Sequence, residues 1–426
     1  MEHIKRDIFV YLRFSLLPNA DNDQSVDSID RIDKMSRSND SGHYFQTSDS
    51  LATSERKAVK AKNKHGEPIK LPSKILAAHR DPVKPGSVLI AEAAGQTKTV
   101  HLENAEISRP SMNATAPLTS LAYSRGNATL YAGCWDKHIY SSQIPPSGTQ
   151  VVTSPLKSHT DFVKCLLATS LHGQPVLISG GADAQIIVWN LATSQPIHKL
   201  KGHTKALQDF AIDPLSFPEG CSEPQDSFIL FSASSDREIR RWHIAIDSAH
   251  ELSESIEKPI LAHETSIYKI TFDQEGDLWT ASADKTAKHL VRSRGWEADT
   301  MLQHPDFVKD VVVSESAGLV VTACRDEEVR VWDASSGDLV CTYSGHYEEV
   351  TGLVMMDSDR KVVSVSIDGT VRQWSLERGD MAKYLEQRRK ERDGEEGSSA
   401  GAEKSGGGML TAEEEAELAD LMDDDD

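Results

Sequence analysis

The chain lacks most of what marks a covalent, metallic or membrane-bound framework. Its 426 residues hold five cysteines, Cys134, Cys165, Cys221, Cys324 and Cys341. The number is odd and no pair forms C-x-x-C, which argues against a disulfide scaffold and a cysteine zinc site. They read as small buried residues of a reducing compartment. No stretch approaches the ~20 consecutive apolar residues of a membrane-spanning helix. The most apolar early run, "IFVYLRFSLL" at 8–17, is broken by Arg13, and no small-residue cleavage site follows it, so a signal peptide is not expected. Positive charge is scarce: 46 Lys and Arg stand against 66 Asp and Glu, a net charge of −20. That sign disfavours broad binding to nucleic acid. Part of it is local, since "TAEEEAELADLMDDDD" (411–426) carries nine acids and no base. Before Glu377 no long apolar helical period is found either.

What the sequence does have is repetition. "VLISGGADAQIIVWN", "LFSASSDREIRRW", "LWTASADKTAKHL", "LVVTACRDEEVRVWD" and "VVSVSIDGTVRQW" share one pattern, and "LYAGCWDKHIYSS" is a weaker copy. Their aspartates are Asp136, Asp183, Asp236, Asp284, Asp326 and Asp368. Six residues after them stand Ser142, Trp189, Trp242, Leu290, Trp332 and Trp374, and four before them Ala132, Ser179, Ser232, Thr280, Thr322 and Ser364. Upstream, a histidine precedes an aliphatic residue by four: His159 with Val163, His203 with Leu207, His263 with Ile267, His304 with Val308, His346 with Val350. His79 with Val83 offers the same pair for a degenerate first copy, which makes seven copies of roughly 44 residues, the length of one propeller blade. "EVRVWD" alternates with period two, as a half-buried strand does, and Asp-Gly in the last copy marks a hairpin turn.

This pattern resembles the WD40-repeat (Trp-Asp repeat) family over about 300 residues. The resemblance implies an all-β fold, a seven-bladed β-propeller with a central channel. It also implies a role for the repeated polar residues, a buried chain in which Ser or Thr bonds His, His bonds Asp, and the indole N–H joins. Complete sets are His159/Ser179/Asp183/Trp189, His203/Ser232/Asp236/Trp242, His304/Thr322/Asp326/Trp332 and His346/Ser364/Asp368/Trp374. The set at His263/Thr280/Asp284 has Leu290 for the indole, and the copy at Asp136 has Ala114 for the histidine. Ser, His and Asp together suggest a hydrolase triad, but one that occurs four times, once per blade, reads as architecture. An enzyme needs one activated nucleophile facing a pocket. No catalytic residue, cofactor or metal is therefore expected.

The expected organisation is 1–66 mostly disordered, 67–376 the propeller, and 377–426 a charged helix, a Gly/Ser linker and a short acidic helix. Residues 67–77 are assigned to the closing strand of the last blade, because an open ring would expose two sheet edges. The family implies that recognition uses the face bearing the His and Asp loops. Trp135, Phe162, Lys164, Tyr268, Phe307, Lys309 and Arg325 are its candidate partner-binding residues, a hot-spot composition suited to an acidic or phosphorylated peptide. The alternative is that the phenylalanines pack between blades and the lysines are solvated.

On the opposite face, His203 and Asp236 lie 33 residues apart, against 21–24 in the other sets. The loops 214–227 and 245–256 carry six acids and no Lys or Arg, a candidate surface for a basic partner. In the tail, Leu418, Leu421 and Met422 share one side of a helix capped by Thr411 and Glu414, the form of a segment that folds on a partner. The expected function is a non-catalytic scaffold in a multiprotein complex, in the cytoplasm or nucleus. The alternative is an adaptor that reads a substrate or mark for a ubiquitin-ligase or chromatin complex.

Overall fold

The computed structural model describes residues 48–143, 155–217, 226–356 and 360–403, with side chains between 53 and 392. Seven four-stranded antiparallel sheets follow one another along the chain. Blade 4 shows how the sequence makes one: Leu207–Ile212 is innermost, then Ser227–Ser234, Ile239–Ala245 and Ala249–Glu251. Its hairpin turns at Asp236–Arg237, where Arg237 takes a left-handed φ of 79°. Lys137, Ala184, Lys285 and Glu327 adopt the same conformation in their blades, and blades 1 and 7 place a glycine there, Gly95 and Gly369, both at φ 77°.

No single core fills the molecule. The buried apolar residues form seven clusters, and each joins two adjacent blades. Phe210 and Trp242 of blade 4 pack with Ile178 and Val188 of blade 3, while Phe231 and Ile239 pack with Ile267 and Leu278 of blade 5. Every blade is thus apolar on both faces, which is why its inner strands read as nearly continuous hydrophobic runs. Cys134, Cys165, Cys324 and Cys341 are free and buried in this packing.

The ring closes with Ile69–Lys70 pairing to Thr370 and Val371, in the sheet of Val350–Met355, Lys361–Ser366 and Thr370–Ser375. This corrects the expected extent of 67–77. Only those two residues pair in blade 7, and Ile75–Arg80 is already the inner strand of blade 1. His79 therefore does not stand in the repeated histidine slot. The slot four residues before the inner strand holds Leu71, and the slots for hydroxyl, acid and indole hold Ile90, Ala94 and Val100. Leu71, Ile90 and Val100 share one buried cluster, so blade 1 replaces the polar chain by hydrocarbon.

Both ends of the chain show more helix than the composition suggests. Within the segment expected to be disordered, Ser48–Lys60 is helical. The C-terminal helix Arg378–Glu403 covers residues 397–403 of the Gly/Ser-containing stretch expected to be a linker. It docks through Met381 and Tyr384 on Tyr343 and Trp374. His65 lies edge-on to Tyr384 and 3.2 Å from Glu391, so the two ends meet at one seam.

A chain beginning at Leu71 would leave the edge of Thr370–Ser375 unpaired. It is expected to melt at lower temperature and to self-associate on size-exclusion chromatography. A monomer of unchanged melting temperature would contradict the role given to Ile69 and Lys70.

Candidate functional site

In blades 3, 4, 5 and 7 a hydrogen bond ties the His loop to the Asp turn at one end of the blade. In blade 4, His203 Nε2 is 2.7 Å from Ser232 Oγ, its Nδ1 is 2.9 Å from Asp236, and Trp242 Nε1 donates to Ser232 Oγ at 2.8 Å. Blade 3 repeats this with His159, Ser179, Asp183 and Trp189, and blade 7 with His346, Ser364, Asp368 and Trp374. In blade 5, His263 meets Thr280 and Asp284, and Thr286 adds a 2.6 Å bond to Asp284. Burial would raise the Asp236 carboxyl, but hydrogen bonds from His203, Thr204 and Glu238 outweigh it and hold the group well below the usual range. His203, Asp236 and Glu238 offer ligand atoms within 4.8 Å of one another. Those atoms are already engaged, His203 with Asp236 and Glu238 with Arg240 at 2.6 Å.

Blade 6 departs from the expected set. His304 bonds Thr322 at 2.8 Å and Trp332 donates to the same hydroxyl, but His304 Nδ1 faces the Leu302 carbonyl at 3.1 Å. Asp326 instead takes a two-pronged bond from Arg330, at 2.6 and 3.1 Å. The reason lies in neighbouring charges. In blade 4 the equivalent Arg240 is held by Glu238 and Glu251. In blade 6 the matching Glu328 is taken by Lys60 at 2.7 Å, which leaves Arg330 free to capture Asp326. Burial first and the Arg330 charge second push His304 down to about 4. In blade 2, with Ala114 in the histidine slot, Tyr140 donates to Asp136 at 2.6 Å, and His138 Nδ1 lies 3.4 Å from the same carboxylate.

At this end every inner strand carries a bulge. The register slips between the first and third residues in all seven blades, and a bulge re-aims the residue it leaves unpaired. The unpaired residues are Leu76, Thr119, Lys164, Gln208, Tyr268, Lys309 and Thr351. The two threonines bond to the first carbonyl of the next blade's inner strand, Val163 and Ile75. Blades 3 to 6 instead present Lys164, Gln208, Tyr268 and Lys309. Lys309 Nζ lies 4.2 Å from the Tyr268 ring centre and 2.8 Å from Glu349. Trp135 stacks on Phe162 at 5.3 Å, and Arg325 lies over Phe307 at 5.1 Å. Among the described residues Lys164 has no ion-pair partner. Burial, then repulsion by Lys309, lowers its pKa.

One position further down, an unrepeated ionic group lies among the inner strands: Asp209, Lys269 and Asp310. Sequence reading missed it, because three singletons in one repeat column give no motif. Lys269 Nζ is 3.2 Å from Asp209. Asp209 also accepts the Ile270 amide, and Asp310 accepts the Leu353 amide at 2.8 Å. Burial pushes Asp310 up to about 6 although Lys269 opposes it. Each carboxylate thus latches onto the next blade.

Residues 130–288 match the family described as the tRNA methyltransferase TRM82 WD40 domain, and 296–333 and 337–375 match the WD domain, G-beta repeat. An uncharacterized WD repeat-containing protein of Schizosaccharomyces pombe is 32% identical over 326 residues, 73% of this chain and 83% of that one. The chain belongs to the WD-repeat family. Among other WD-repeat relatives, pre-mRNA-processing factor 19 of Mus musculus is 24% identical over 46% of this chain and 36% of its own. Nuclear distribution protein nudF of Aspergillus niger is 27% identical over 45% of this chain and 40% of its own. The match therefore spans well under half the length of those two. The crystal structure of the WD40 β-propeller domain of Doa1 aligns with a TM-score of 0.59 and 19% identity, covering 74% of this chain and 97% of that one.

One expected surface changes. The segment 245–256 is not a loop: Ala249–Glu251 is the outer strand of blade 4, and Ser253–Glu257 is a short helix. Its Glu251 is neutralised by Arg240 and its Glu254 lies 3.5 Å from Arg241, so the acidic protrusion is partly cancelled by the strand behind it. Residues 218–225 of the other loop, and Leu418, Leu421 and Met422, lie outside the described residues.

Ser232→Ala should leave His203 Nε2 and Trp242 Nε1 without their shared partner, at roughly 1–3 kcal/mol for each buried group. Chemical denaturation measures this, and an unchanged midpoint would refute the assignment. The pH dependence of Asp310 has a definite sign. Its folded-state pKa of about 6 lies above the unfolded value, so the folded chain binds the extra proton and Asp310 favours folding below about 4. That contribution is lost as pH rises toward and through about 6. Subtracting the Asp310→Asn profile from the wild-type profile should therefore give a difference falling across this window, and a flat difference would contradict it.

Proposed function

We propose that this protein is a non-catalytic interaction subunit whose channel mouth, on blades 3 to 6, binds an acidic or phosphorylated segment of a partner protein. Lys164 carries the reading. It is a lysine placed by a bulge at the mouth, stripped of part of its water, facing a second lysine and given no carboxylate among the described residues. An arriving carboxylate or phosphate supplies the missing charge. The Trp135–Phe162 stack and the Arg325–Phe307 pair offer flat apolar area and a forked donor beside it, the composition of an interface hot spot.

WD-repeat propellers generally mediate protein interactions or complexes, which supports the same reading. The acidic segment 411–426, with Leu418, Leu421 and Met422, serves as a second, tethered site that raises avidity. Relatives named for pre-mRNA processing and for nuclear distribution suit a nuclear or cytoplasmic setting.

The match of 130–288 to the WD40 domain of a tRNA methyltransferase supports a second reading, a supporting subunit of an RNA-modifying enzyme. A client-selecting adaptor would use the same mouth. Affinity purification of the full chain with mass spectrometry separates these through the partners recovered.

For the mouth itself, acidic and phosphoserine peptides are titrated into the full-length protein. Lys164→Ala is expected to weaken the tightest binder by about tenfold, as loss of a charge-assisted contact does. Its melting temperature should stay equal or rise slightly, since an unpaired, desolvated charge is removed. Equal affinity for both proteins would sink the proposal.

A further inference from the structure

Blade 6 carries an acidic pair that no other blade repeats. The residue after the turn aspartate is Lys137, Ala184, Arg237, Lys285 or Gly369 elsewhere, but Glu327 in blade 6, with Glu328 following. With Glu348 of blade 7 these form a notch on the rim, outside the channel mouth. The helix Ser48–Lys60 lies against it from residue 53 onward. Arg56, Lys57 and Lys60 stand on one helical face, by their spacing of three and four. Arg56 reaches Glu327 at 2.8 Å, Lys57 reaches Glu348 at 2.8 Å, and Lys60 bridges Glu327 and Glu328 at 2.9 and 2.7 Å.

The two sides of this contact are held very differently. The Glu327 side chain is 6% exposed and Glu328 Oε2 is buried without a hydrogen-bond partner, so the notch needs positive charge to stay ionised. The helix has no buried residue between 53 and 60, and Val59 remains 66% exposed. It makes no apolar seat on the blades. Surface ion pairs are weak and are screened by salt, and an isolated helix of this length is marginal in water. The chain itself is fixed just beyond, where Arg372 donates to Asn63 at 2.9 Å and to the His65 carbonyl. The helix is therefore a tethered cover on a site that demands a cation, kept there by proximity more than by affinity.

We propose that the Glu327/Glu328/Glu348 notch is a receptor for a basic helix of a partner protein, occupied in the free chain by residues 53–60. The fitting partner carries Arg-Lys-x-x-Lys or its equivalent on one helical face, and is drawn in by the net charge of −20. It must compete with the high local concentration of the tethered helix. Glu348 and Glu349 are adjacent on one loop, and Glu349 holds Lys309 at the mouth. Exchange at the notch therefore touches the loop that borders the other site.

The test uses the full chain and a fluorescent peptide of residues 48–62. Arg56→Glu with Lys60→Glu frees the notch without altering it. That variant should bind the peptide about tenfold more tightly than wild type at low salt, in line with loss of competing ion pairs. Adding Glu327→Gln and Glu328→Gln should abolish the gain. Equal peptide affinity of wild type and the freed variant, or a gain that survives the Gln substitutions, would overturn the proposal. A second measurement needs no variant: hydrogen exchange of residues 53–62 in the wild-type chain should speed up when excess peptide is added. Unchanged exchange at saturating peptide would also overturn it.

Discussion

Ring closure is the constraint on which the rest depends. Because the apolar residues lie between blades, no blade buries its faces alone. Each wedge is complete only when the next blade is in place, and the last wedge is complete only when the N-terminal side returns to the C-terminal blade. Two residues, Ile69 and Lys70, make that return. The hydrophobic term is ample in each wedge, but it becomes cooperative only through this short pairing. The ends of the chain are correspondingly overdetermined there. Gly66 accepts from the Gln373 amide and lies against Trp374 so closely that a Cβ would come within 2.7 Å of the ring, while Tyr384 packs over the same indole.

The buried polar chains and the rim residues divide the work. The His–Ser/Thr–Trp contacts are enclosed and fully matched, and they hold the loops of each blade in a fixed relation to its turn. The bulge residues stand next to them on a scaffold already set, so they are free to differ. Where they are threonine they bond to the neighbouring blade, and where they are lysine, glutamine or tyrosine they form the mouth. The asymmetry of the rim follows: blades 2 and 7 spend this position on a bond to the next blade, and blades 3 to 6 place a polar or aromatic side chain there.

The sequence discloses what repeats and hides what is singular. His203, Ser232, Asp236 and Trp242 are legible because three other blades spell the same set, with hydroxyl, acid and indole at the same spacing. Blade 1 is harder to place because its slots hold Leu71, Ile90, Ala94 and Val100, hydrocarbon that carries no mark, and His79 offers a false one. The Asp326–Arg330 pairing was not legible, since it depends on Lys60 removing Glu328 from reach, a contact across 268 residues of chain. Lys164, Tyr268 and Lys309 are legible from their place at the first turn of an inner strand, while Asp209, Lys269 and Asp310 are passed over because only register places them side by side.

The meeting of the two chain ends has a consequence for assembly. The N-terminal approach through His65 and the C-terminal helix through Tyr384 and Glu391 depart from the same sector of the disc. The described stretches on either side of the propeller therefore share one anchorage, and a change that loosens Tyr384 is felt in both, like two cords knotted at a single point on a wheel.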